Sequence, residues 1–137
     1  MPCWLVKEEP DHYAYADLER DRTTDWDGVT NNLARQNLRK MRRGDRLLFY
    51  HTGKVKAVVG EAVVVGSPGP DPKSDDPKAV VVKVRAVRRW AKPVTLPEIK
   101  ADPQLKDWEL VRNSRLSVVP VSAVQWQRVE ELARADD

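Results

Sequence analysis

Twelve residues, Gly66 to Pro77, hold four prolines and two glycines. Proline has no N–H to give to a helix or a ladder, so this stretch reads as a long exposed loop. It separates two valine-rich runs, Val55–Val65 and Ala79–Trp90, into independent elements. The second run alternates, with Val82, Val84 and Ala86 on one face and Lys83 and Arg85 on the other, the period of a half-buried strand. Gly60 interrupts the first and predicts a bulge or a bend. Three shorter runs, Cys3–Lys7, Arg46–His51 and Leu116–Val121, read as further strands, the last with Pro120 marking an edge or an end. Five short strands in 137 residues predict a small barrel or a strongly curled sheet.

Helices fill the gaps. Tyr15–Arg20 is a short candidate, and Thr30 or Asn31 caps a helix to about Arg42 that stops at Gly44. Thr95-Leu96-Pro97-Glu98 is a capping box opening a short helix through Lys100. Ser122-Ala123-Val124-Gln125 is another, and the Trp126, Val129 and Leu132 stripe behind it reads as core packing. The expected class is α+β, with residues 1–137 as a single domain.

Composition narrows the function classes. No run approaches the roughly 18 uncharged apolar residues of a membrane span, and a secretory leader is not expected at the start. One cysteine and two histidines make neither an internal disulfide nor a metal set. The expectation is a reduced cytoplasmic monomer with no cofactor, no metal and no membrane partner. Glycine-rich phosphate loops, nucleophile elbows and His-Glu-x-x-His are absent. Glu8 and Glu9 are adjacent, so on a strand they face opposite ways and make a poor acid–base pair. His51 ends an aromatic run, and a small hydrolase using it with Glu9 or an Asp is the least favoured alternative.

Net charge is only +3, but the signs are segregated. Asn31 to Gly44 holds Arg35, Arg39, Lys40, Arg42 and Arg43 with no acid, and Lys83 to Lys92 holds Lys83, Arg85, Arg88, Arg89 and Lys92, again with none. Two such blocks point to a face for nucleic acid. Trp26 lies in the polar segment Thr23–Asn31 just before the first block. An indole there is either a surface staple or a stacking wall for a nucleobase.

Trp4-Leu5-Val6-Lys7-Glu8-Glu9-Pro10, Thr24-Asp25-Trp26-Asp27-Gly28-Val29-Thr30-Asn31, Ala34-Arg35-Gln36-Asn37-Leu38, Gly44–His51 and Ser114-Arg115-Leu116-Ser117-Val118 occur in order along the chain. Together they resemble the EVE domain, a PUA-like family related to the YTH readers. The resemblance implies a PUA-like curled β-barrel of about five to six strands flanked by helices. It further implies a non-enzymatic module that takes a modified base, such as methylated cytosine, into an aromatic pocket; binding of structured or modified RNA is the alternative. On that resemblance Trp26 is a pocket wall. Asn31 and the backbone around Lys7 to Glu9 offer hydrogen bonds to the base edge. Tyr50 and His51 line the mouth, and Arg115 and Ser117 contact base or phosphate. Arg35, Arg39, Lys40, Arg42, Arg43, Arg88 and Arg89 grip the backbone of the DNA or RNA. Glu8 stands where many relatives carry serine, and Asn32 where they often carry an aromatic residue.

Overall fold

A computed structural model describes residues 2–134. In chain order the elements are β1 (Cys3–Glu8), α1 (Tyr15–Asp21), β2 (Thr23–Trp26), α2 (Asn32–Lys40), β3 (Arg46–His51), β4 (Ala57–Val64), β5 (Gly69–Pro70), β6 (Val80–Thr95), α3 (Leu96–Ala101), α4 (Glu109–Arg112), β7 (Val118–Val121) and α5 (Ala123–Arg134). The strands form one curled sheet in the order β2-β6-β4-β3-β1-β7, with β5 on the side of β6. Only β1 and β3 run parallel, because α1, β2 and α2 intervene and give the crossover a parallel pair needs. The α+β, PUA-like expectation holds with six strands along the path. The end strands β2 and β7 do not pair, so the sheet curls without closing.

The termini of the helices are set locally. Asn31 Oδ1 accepts from Ala34 N at 2.9 Å and opens α2. Thr95 and Glu98 form the reciprocal box before α3, and Ser122 with Gln125 does the same for α5. Four elements depart from the sequence reading, the first being β5, two residues of the expected proline-rich loop that pair with β6. The segment expected to be a polar loop around Trp26 is β2, an edge strand whose outward residues are polar because solvent covers them. The strand expected to stop at Trp90 runs on to Thr95, and the one-turn α4 carries no apolar period that would reveal it.

All five tryptophans are buried. Trp4 Nε1 donates to Asp45 and Trp108 Nε1 to the Pro120 carbonyl, which offsets their loss of water. Trp90 Nε1 donates to Glu61 in the middle of β4. Glu61 is itself only 6% exposed, and its carboxylate also accepts from Arg88 at 3.2 Å and lies 3.7 Å from Arg46. Arg46 in turn covers the Trp126 ring of α5 at 4.1 Å. One carboxylate thus ties β3, β4, β6 and α5 together.

The β4–β6 ladder breaks beside it. Gly60 pairs with Arg89 and Val58 with Val94, so the four residues Trp90–Pro93 stand opposite the single Val59. This wide bulge accommodates Pro93, which could not donate to a regular ladder. Gly60 is required for a second reason: a Cβ there would lie 2.8 Å from Cζ of Tyr15, whose hydroxyl donates to the Glu61 carbonyl at 2.6 Å.

Candidate nucleic-acid interface

The ends of β1 and β3 lie side by side, with Lys7 opposite Tyr50 and Glu8 opposite His51. Successive side chains on a strand face opposite ways, so Lys7 and Tyr50 share one face while Glu8 and His51 share the other. This splits the expected site residues into groups. Tyr50 and His51 do not line one mouth.

On the Glu8 face, Phe49 is the common wall. Its ring meets Trp26 edge-on at 5.4 Å and His51 edge-on at 5.5 Å. Trp26 is 6% exposed and packs as core, and with Glu8, His12, Tyr13, Thr24, Asp25 and Asp27 it lines a recess of about 70 Å³. Among these the acids supply only acceptors. His12 Nδ1 sits 3.1 Å from Glu8 Oε1 at the rim, and the Tyr13 hydroxyl donates to Asp21 at 2.9 Å. A polar groove of about 350 Å³ shares Thr24, Asp25 and Asp27 with the recess and adds Thr23, Lys73 and Lys83.

His51 lies on the other side of Phe49, against a chamber of about 330 Å³. Its Nε2 accepts from the Tyr15 N–H at 3.1 Å. Burial, reinforced by the nearby Arg89 charge, holds its pKa below the ordinary histidine value, so the ring is neutral at physiological pH.

The opposite face carries Lys7, Tyr50 and the turn before β7. Lys7 Nζ donates to the Ser114 carbonyl at 3.2 Å and stands 5.9 Å from the Tyr50 ring centroid; burial lowers its pKa. Tyr50 is buried and its phenol is pushed up to about 12 by desolvation. The main chain expected to read a base edge is already engaged. Lys7 N donates to Ser117 O, Thr52 N donates to Glu8 O, and His12 N and Tyr13 N donate to Glu9 O. The Glu9 side chain is exposed, as is Arg115. Asn31 spends its oxygen on the α2 cap.

The basic blocks divide in the same way. Arg35 is only 8% exposed; it donates to the Val29 carbonyl at 2.7 Å and to Asp76 at 2.9 Å, so it fastens the proline-rich loop onto α2. Arg39 donates to the Lys78 carbonyl. Arg88 is taken by Glu61 and Arg89 by Glu19. Lys40, Arg42 and Arg43 are exposed and have no ion pair among the described residues. The sequence reading missed His12, Tyr13, Thr24, Asp25 and Asp27 as lining residues.

Residues 2–132 match the EVE domain over nearly the whole chain. This chain belongs to the EVE domain family. Human thymocyte nuclear protein 1 is 30% identical over 163 residues, covering 94% of this chain and 72% of that protein. An EVE-sized protein of Rhodopseudomonas palustris solved by NMR superposes with a TM-score of 0.93 at 36% identity, covering 100% of this chain and 96% of that one. The crystal structure of human THYN1 in complex with 5-methylcytosine containing DNA superposes at 0.89 with 29% identity, covering 97% and 98%. An ASCH protein of Zymomonas mobilis, at 0.61 and 15% identity, shares the fold of this EVE domain and no more.

Proposed function

We propose that this EVE domain is a non-enzymatic reader that binds a nucleic-acid strand and draws one modified base, such as 5-methylcytosine, into the Trp26 recess. The observation that carries the reading is the lining of that recess, where Trp26 and Tyr13 stand beside Glu8, Asp25 and Asp27. Carboxylates accept from the exocyclic amine of cytosine, and the aromatic edges offer apolar contact to a ring methyl. The structural likeness to a protein bound to 5-methylcytosine containing DNA supports the same reading. At about 70 Å³ the recess is tight, so entry of a base displaces the rim. That rim is cheap to move, because His12 is 76% exposed and its pairing with Glu8 is worth little in water. Extruding the base costs a few kcal/mol, which apolar contact and hydrogen bonds to the base edge offset. Lys40, Arg42 and Arg43, together with Lys73 and Lys83 along the polar groove, meet the phosphates.

The test is fluorescence anisotropy with matched strands carrying one cytosine or one 5-methylcytosine, in DNA and in RNA. Burying one methyl group is worth about 0.8 kcal/mol, so wild type prefers the methylated strand about fourfold. Trp26→Phe, which keeps the core apolar, abolishes the preference. Raising salt weakens binding by about 0.7 log units per log unit of salt for each phosphate neutralised on a single strand. Equal affinity of wild type for both strands, or none for either, overturns the reading. Preference for the RNA strands assigns 2′-hydroxyl contacts instead of a DNA partner.

A further inference from the structure

The β6 bulge builds a second space that the base recess does not use. Its chamber, about 330 Å³, is bounded by Tyr15, His51, Val59, Arg89, Trp90 and Pro93. That falls within the size range of small-ligand pockets, and it exists because Trp90–Pro93 swing away from Val59. The chamber adjoins the Trp26 recess. Tyr13 lines the recess and the next residue, Ala14, lines the chamber, so their backbone sites are about 3.8 Å apart. Phe49 stands between the two, edge-on to Trp26 and to His51.

The chemistry of the two spaces is opposite. Three acids, Glu8, Asp25 and Asp27, line the recess, whereas among the described residues no carboxylate lines the chamber. Its walls are aliphatic and aromatic, and its polar side chains are donors. His51 spends Nε2 on the Tyr15 N–H, so the neutral ring carries its proton on Nδ1, which has no partner among the described residues. Arg89 brings a guanidinium, and its pairing with the half-exposed Glu19 leaves other N–H groups of the fork unused. A groove of about 280 Å³ shares Arg89, Trp90 and Ala91 with the chamber and adds Arg88, Lys92 and Arg134, whose charges are met by Glu61, Glu98 and Glu130.

Resting on the reader function argued above, we infer that the chamber seats the nucleotide adjacent to the modified base and selects guanine there. Guanine presents two acceptors, O6 and N7, on one edge, matching the imidazole N–H and the guanidinium. Adenine and cytosine bring an amine toward those donors and are rejected. The protein therefore reads a two-base step, one base by acceptors and its neighbour by donors.

The experiment uses strands with one 5-methylcytosine and each of the four bases as its 5′ and then its 3′ neighbour, followed by fluorescence anisotropy. Wild type prefers guanine on one side by about tenfold, and 7-deazaguanine, which lacks the N7 acceptor, loses most of that preference. Ala91→Phe fills the chamber from an exposed position and removes the preference; His51→Phe keeps a flat ring without the N–H and brings guanine and adenine together. A methyl preference with no neighbour preference overturns this inference and leaves the reader function standing. Retention of the guanine preference in Ala91→Phe also overturns it. Failure of every strand to bind wild type overturns the reader function, and the chamber's role with it.

Discussion

The two spaces flanking Phe49 differ because the backbone beside them differs. Next to Trp26 the β2–β6 ladder is regular, with Trp26 opposite Val82, and the indole settles into the core and leaves about 70 Å³. Next to His51 the β4–β6 ladder is broken by four residues against one, and about 330 Å³ is left open. The same ring serves both. Regular pairing yields a tight space whose character comes from a few polar atoms at its rim, whereas a bulge yields capacity whose character comes from whatever the displaced strand carries. In this chain the displaced residues are Trp90, Ala91, Lys92 and Pro93, with Arg89 at the edge of the break.

The harshest way to break the contrast is to remove the wall. Phe49→Ala deletes a fully buried ring and is expected to cost about 3–5 kcal/mol, read as a fall in the urea midpoint. A loss below about 1 kcal/mol means that the two spaces are not separated as described. Gly60→Ala acts on one side alone. A Cβ there meets the Tyr15 ring and the Arg88 carbonyl, at a cost of about 1–3 kcal/mol. Because the Tyr15 N–H is what holds His51, the imidazole NMR signals shift while the Trp26 indole signal stays; equal shifts of both contradict the asymmetry. The smallest effect is on pH. His51 has a folded pKa below the ordinary 6.5, so the unfolded chain binds its proton first. Its contribution to stability is therefore complete above about 6.5 and is lost as pH falls through the window between that value and the lower folded one. The stability difference between wild type and His51→Gln narrows on acidification across that window, and a difference that widens contradicts the burial of the neutral ring.

The sequence made some of this legible. Arg46–His51 and the ends of α2, α3 and α5 are visible because an apolar run and a capping box act within a few residues of themselves. β2 hides because an edge strand needs no apolar alternation, and its partner β6 begins 54 residues after Trp26. The basic block on α2 reads as a uniform phosphate grip until Asp76, 41 residues away, is found to claim Arg35. Gly60 signals a bulge in the sequence, but its size depends on the register between β4 and β6, which no local pattern encodes. Likewise Trp26 could be flagged as unusual by context, while its burial depends on Phe49 from another strand.

Glu61 gives this architecture a single point of failure. Removing its carboxyl group would leave Trp90 without an indole acceptor and deprive Arg88 and Arg46 of their partner in one stroke. The geometry of the wider chamber and the seating of α5 are thus inherited together, and neither can drift far while the acid stays.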